Sequence, residues 1–175
     1  MTFAIEHATS ARLGAGSLAE IHRLCEAAYG TAMTSYFADI GPGEHLLGRL
    51  DGVLVSHLMW VTRWLEPEGA RPLRTAYVEL VATDPVHERR GFATRLLRHL
   101  VPLFDEYELA ALSPATERLY LRLGWEHWRG PLAVRRDGAL LPTPDERVMI
   151  RRLARTPTLD PDAPLSIEWR PGEIW

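Results

Sequence analysis

At 175 residues, 46% hydrophobic and 25% charged, the chain has the composition of a soluble globular domain and is long enough to bury roughly 70% of its unfolded surface. A formal net charge of -3 argues against a nucleic-acid partner, and no apolar run approaches the roughly 20 residues of a membrane span. Lysine is absent, which excludes Schiff-base chemistry, and the single cysteine, Cys25, rules out an internal disulfide.

Met1 to His7 carries neither a basic region nor a long apolar segment, so no export signal is expected, and the lone thiol suits a reducing cytoplasm. Phe3 to Ala8 reads as a strand. Ser17 opens a helix with Glu20 in capping-box position, and Leu18, Ile21, Leu24, Cys25 and Ala28 share its apolar face. On that face Cys25 reads as core ahead of nucleophile. Tyr29 to Gly43 lacks a firm period and predicts a loop able to hold a short helix, of a length that is often functional. His45 to Leu50 and Val53 to Trp64 flank Asp51-Gly52, the strongest hairpin signal in the chain. Trp60 and Trp64 fall on one face of the second strand, for core packing or, more rarely, for a substrate groove. Thr75 to Thr83 predicts a strand buried on both faces with Glu79 at its middle. A carboxylate there either pairs with an arginine or has been kept for chemistry, because burying an unpaired charge is expensive.

Asp84-Pro85 ends that strand. Glu88-Arg89-Arg90-Gly91-Phe92-Ala93-Thr94 then leads into a helix expected to reach Leu100, with Pro102 bending or ending it. Orphan amides, a helix dipole and two guanidinium groups suit a diphosphate; an ordinary turn with solvated arginines is the competing reading. Leu109 to Leu112 predicts another strand. Ser113 as cap, Pro114, Glu117 and Gly124 then delimit a short helix carrying Tyr120, which on its own would more often be core. Glu126 to Arg129, Leu132 to Arg136 and Val148 to Leu153 read as strands, Asp137-Gly138 as a hairpin turn, and Thr156 to Pro164 as an extended crossing segment. The seven histidines lack metal-ligand spacing, so no metal site is expected, and no repeat or linker divides residues 1–175 into more than one domain. From Thr156 onward Asp160, Asp162, Glu168 and Glu173 face one arginine, an acidic tail that ends in tryptophan.

Strand, Arg/Gly turn, helix, strand and short helix with Tyr followed by Gly124-Trp125 resemble, in that order, the acetyl-CoA-binding half of the GCN5-related N-acetyltransferase superfamily. Its turn pattern is Gln/Arg-x-x-Gly-x-Gly/Ala, and here Glu88 replaces the first residue, which alters one side-chain contact but not the backbone amides. Tyr77-Val78-Glu79, Leu119-Tyr120, Thr143-Pro144-Asp145 and the terminal Glu168 to Trp175 look like the aminoglycoside 2'-N-acetyltransferases, over most of the chain after about Glu44. The resemblance implies an α/β (α+β) domain with a mixed, mostly antiparallel twisted sheet flanked by helices, splayed beside the Glu79 strand to admit acetyl-CoA. It implies Glu79 as general base, working through a water, and Tyr120 as proton donor to the CoA thiolate. The pantetheine arm would lie along Leu80, Val81, Ala82 and Thr83, one of whose amides polarises the thioester carbonyl, and the diphosphate along Glu88, Arg89, Arg90, Gly91, Phe92, Ala93 and Thr94. An amine substrate would meet Glu79, Leu80, Ser113, Asp145 or Glu146, Glu173 and the Trp175 carboxylate; read without the resemblance, Asp145-Glu146 is equally an exposed hairpin tip. In the loop after the first helix, where the family supplies acids, this chain has Thr31 and Tyr36 and keeps only Asp39, which points to a compact, low-charge aminoglycoside of the kasugamycin type. The family often dimerises, which admits a homodimer. Two alternatives stay open: the same fold acting on another small-molecule or protein amine, and a catalytically idle acyl-CoA-binding module.

Overall fold

The computed structural model describes residues 1–175, which form a mixed α/β fold with a mostly antiparallel sheet flanked by helices. Its contacts divide it into two compact units, residues 1–61 with 78–101 and residues 62–77 with 102–175. The first holds β1 (Phe3–Thr9), α1 (Ala15–Tyr29), α2 (Thr34–Ile40), β2 (Glu44–Leu50), most of β3 (Val53–Pro67), the end of β4 (Leu73–Thr83) and α3 (Phe92–Leu100). β1, β2 and β3 run antiparallel in chain order. Asp51 and Gly52, at φ 48° and 86°, both take the left-handed conformation that a two-residue hairpin of matching twist demands. Two residue pairs from the turn the register slips by one, between Gly48 and Arg49, and the slip decides which side chains share a face. α1 starts at Ala15 with Gly14 as cap, ahead of the expected Ser17, and Glu20 pairs with Arg49 at 2.8 Å instead of closing a capping box. α2 fills the expected loop. Ile21, Leu46, Leu58, Leu96, Leu97 and Leu100 are fully buried, so α1 and α3 both bring apolar stripes to this unit's core. α3 stops at Leu100 because Pro102 has no N–H to continue it.

In the second unit β5 (Leu109–Leu112) lies parallel to β4 at Thr75, Ala76 and Tyr77 and antiparallel to β9 (Met149–Arg152), which pairs in turn with β6 (Glu126–His127). β10 (Leu165–Glu168) pairs antiparallel with β3 at Leu65 to Pro67 and parallel with β7 (Leu132–Arg136), and β7 makes a hairpin with β8 (Ala139–Pro142) through Asp137-Gly138. Three expectations need correction. The helix bearing Tyr120, α4 (Arg118–Leu121), is a single turn capped at Glu117 with no side-chain cap, so Ser113 and Pro114 precede it in irregular chain. The acidic tail contains β10, four residues that sequence reading left unassigned. Trp60 is buried as core, whereas Trp64 is 45% exposed.

Gly130 has no room for a side chain, since a Cβ there would fall inside the backbone of Asp162 and Ala163, while Gly16 lies in α1 with open space around it. Gly130→Ala should cost about 3 kcal/mol or more, lowering the melting temperature by roughly 6–12 °C. Gly16→Ala should stabilise by about 0.5–1 kcal/mol. Thermal unfolding of the two variants checks both signs.

Candidate active site

Glu79 is 6% exposed in β4 and accepts a hydrogen bond of 3.2 Å from the Tyr36 hydroxyl on α2. The next residue, Leu80, is itself buried and has φ 52°, a conformation that costs a bulky side chain about 1–3 kcal/mol. Three successive carbonyls then accept from side chains. His57 Nδ1 donates to Leu80 at 3.2 Å, the Tyr29 hydroxyl to Val81 at 3.2 Å and the Ser56 hydroxyl to Ala82 at 2.9 Å. Thr83 Oγ1 lies 3.0 Å from Ser56 Oγ. Behind His57, His45 Nδ1 lies 3.0 Å from its Nε2, and Ser10 Oγ lies 2.8 Å from His45 Nε2. Burial lowers the pKa of His45 to about 4, and burial with the neighbouring His45 lowers that of His57 to about 3, so both rings are neutral at physiological pH. Burial also pushes the Cys25 thiol up to about 12, which leaves it no nucleophilic role.

The Arg/Gly corner follows on the same unit. Arg89 at φ 57° and Gly91 at φ 81° flank Arg90, and α3 begins after Gly91 with no side-chain cap on its first amides. Arg89, Arg90 and Glu88 are exposed, Ala93 and Thr94 half-buried. The Arg90 guanidinium sits 5.2 Å from the centre of the Phe92 ring, and Phe92 stacks on Phe3 at 4.7 Å. Free amides, the positive end of the helix and two accessible guanidinium groups can hold an anion such as a diphosphate. On α2, Phe37 stacks on His22 at 4.1 Å, and Asp39 is half-buried near the helix end.

In the second unit Tyr120 is 8% exposed and meets Trp125 edge-on at 6.0 Å. Burial raises its pKa to about 12, so the phenol keeps its proton. Ser113 is exposed. Thr143, Glu146 and Trp128 line a cleft of about 620 Å³ together with Glu117 and His127, which lie 3.3 Å apart. Burial, then the Glu173 and Asp145 carboxylates, raise the pKa of Glu146, which places these three acids within electrostatic reach of one another. The tail is docked. The Trp175 ring is 4% exposed, and its Nε1 donates to Thr143 Oγ1 at 2.9 Å. Arg63, also 4% exposed, donates to Glu168 Oε1 at 2.6 Å, to the Glu168 carbonyl at 2.6 Å and to the Ile174 carbonyl at 3.0 Å. Sequence reading missed Arg63 and His57, although each interrupts an apolar strand as Glu79 does, a signal that could have found both.

The family described as Acetyltransferase (GNAT) domain matches residues 12–128. The aminoglycoside 2'-N-acetyltransferase of Mycolicibacterium fortuitum is 32% identical over 145 residues, covering 75% of this chain and 74% of that protein. Among solved structures, Eis1 from Mycobacterium abscessus matches with a TM-score of 0.62 at 18% identity, over 74% of this chain and 32% of that one. The ribosomal-protein-S18-alanine N-acetyltransferase from Escherichia coli matches with a TM-score of 0.60 at 16% identity, over 90% of this chain and 97% of that one. The chain thus spans about a third of the first structure and nearly all of the second, and these likenesses concern the fold.

Arg63→Met should free the carboxy-terminal segment by removing its charged anchor, at about 2–3 kcal/mol of stability. Hydrogen exchange at residues 168–175 should quicken more than exchange in β5 or β9; uniform quickening would contradict an anchoring role.

Proposed function

Because the chain belongs to the GNAT acetyltransferase family, we propose that it transfers the acetyl group of acetyl-CoA to the 2'-amine of an aminoglycoside, its two units serving together as one N-acetyltransferase domain. The observation that carries this reading is a buried carboxylate, Glu79, held by Tyr36 and followed at once by a left-handed Leu80 in mid-strand. Acetyl-CoA supplies the activated acyl group. α3 and the corner at Arg89, Arg90 and Gly91 would hold its diphosphate, and the backbone of Leu80 to Thr83 its pantetheine arm.

The amine arrives protonated at neutral pH and must lose a proton before attack. Glu79, directly or through a water, takes it. The amine nitrogen then bonds to the thioester carbon, an amide N–H of β4 stabilises the negative oxygen, and the carbon–sulfur bond breaks. Tyr120, held neutral by burial, gives its proton to the departing thiolate, and the second proton, which the nitrogen sheds as the amide forms, passes by way of solvent to restore the phenol. The remaining amines of the substrate would pair with Asp145, Glu146 and Glu173, and with the Trp175 carboxylate. A free thiol and dependence on acetyl-CoA suit a reducing cytoplasm.

Substrate size follows from charge. Each charge-assisted contact contributes about 1.5–3 kcal/mol, so a segment after α1 offering Thr31 and Tyr36 in place of two acids forfeits on the order of a hundredfold or more in affinity for a polycation. Phe37 is occupied by His22, which leaves Tyr36 as the apolar wall of this segment for a sugar face. The expected substrate is a compact aminoglycoside of the kasugamycin type, preferred over gentamicin- or tobramycin-like polycations. Specificity constants at one ionic strength, read by thiol release, test this preference, and higher values for the polycations would overturn it.

Glu79→Gln should lower the turnover number about 100- to 10,000-fold, with the deficit shrinking at high pH where free amine is already present, while acetyl-CoA binding measured by calorimetry stays near normal. A near-normal rate at neutral pH would make Glu79 a structural residue.

A further inference from the structure

The direction of the buried hydrogen bonds behind β4 follows from one fact: a carbonyl can only accept. Leu80 O therefore requires the proton of His57 on Nδ1, 3.2 Å away, and the Cys25 sulfur, 3.8 Å from the same nitrogen, is then a second and weaker acceptor. A neutral imidazole has one N–H, so His57 Nε2 is an acceptor, and its 3.0 Å contact is a bond donated by His45 Nδ1. His45 Nε2 is then an acceptor in its turn and takes the Ser10 hydroxyl proton at 2.8 Å, the shorter of that hydroxyl's two acceptor contacts, the other being the Gly43 carbonyl at 3.1 Å, while the Gly43 amide donates to Ser10 Oγ at 2.9 Å. His45 is 2% and His57 0% exposed, so water does not reach the bond between the rings or the bond to Leu80, while Ser10 at the outer end is half-buried. The peptide between Leu80 and Val81 is trans, so its N–H points opposite to its carbonyl. Fixing the Leu80 carbonyl toward His57 therefore fixes the Val81 N–H away from it.

We propose that Ser10, His45 and His57 are positioning residues, a one-way hydrogen-bond wire that locks the Leu80–Val81 peptide and so aims the Val81 N–H at the thioester carbonyl oxygen. The use of that N–H rests on the acetyl-transfer reading; the wire and its direction do not. The wire also explains why two imidazoles are buried in the first unit. A leucine at position 57 would fill the space and leave the Leu80 carbonyl without its donor, and the strained φ of Leu80 with nothing to hold it.

Two measurements on the full chain test the proposal. Nitrogen-15 NMR of the histidine rings in the wild-type protein at neutral pH should show both His45 and His57 as the neutral Nδ1–H form, the minor form of free histidine; an Nε2–H form or an imidazolium at either would overturn the wire. Kinetics then separate positioning from packing. An asparagine amide nitrogen takes the place of Nδ1 and a glutamine amide nitrogen that of Nε2. His57→Asn should keep the turnover number within about threefold of wild type, whereas His57→Gln should lose on the order of 10- to 100-fold with amine binding by calorimetry unchanged. Equal losses in the two variants at matched melting temperature would overturn the positioning role. A wild-type protein that releases no thiol from acetyl-CoA with any amine would sink the acetyl-transfer reading, and the aim of the Val81 N–H with it, while the ring spectrum still decides the wire.

Discussion

One peptide unit, between Leu80 and Val81, constrains everything placed around it in the first unit. A left-handed leucine inside a strand costs about 1–3 kcal/mol, and it persists only where neighbours over-determine it. Here three side-chain donors, His57, Tyr29 and Ser56, meet three consecutive carbonyls. At about 0.5–1.5 kcal/mol net for each bond, they offset the strain. The same bonds satisfy buried carbonyls that would otherwise be orphaned, so strain relief and polar satisfaction come from one set of groups.

Burial acts differently on different polar groups of the two units. Desolvation holds His45, His57 and Tyr120 neutral. Arg63 cannot shed its charge, and it is matched instead with the Glu168 carboxylate and two backbone carbonyls. That difference sorts the residues by use. Neutral imidazoles and a neutral phenol can orient or donate protons, whereas a permanent charge locked in hydrogen bonds can only anchor, and what Arg63 anchors is the tail that carries Glu173 and Trp175.

Local signals made most of the fold legible in the sequence. Asp51-Gly52 and Asp137-Gly138 are left-handed pairs that few other residues tolerate, and Gly91 and Pro102 bound α3 for equally local reasons. The Glu79 strand and the Arg/Gly corner could be read for the same cause. What stayed hidden depended on register. Continued without its slip at Gly48, the hairpin would pair His57 with Leu46 and His45 with Leu58, which puts the two rings on opposite faces; the slip pairs Leu47 with His57 and brings them together. The isolated Gly48 inside the strand is its one local sign, and sequence reading did not use it. β10 was invisible for another reason, since four residues among prolines are too few for a period and its partners, β3 and β7, are remote in the chain. Ser113 misled because it has the chemistry of a cap while the chain makes its helical turn five residues later.

The family fixes the reaction class, and the acceptor amine decides the substrate. The most direct measurement is the structure of the product formed from acetyl-CoA and kasugamycin, read by NMR of the purified compound. One acetyl group is expected, on the 2'-nitrogen, with one thiol released for each. Acetylation at a different nitrogen, or thiol release without an acetylated amine, would contradict 2'-acetyl transfer.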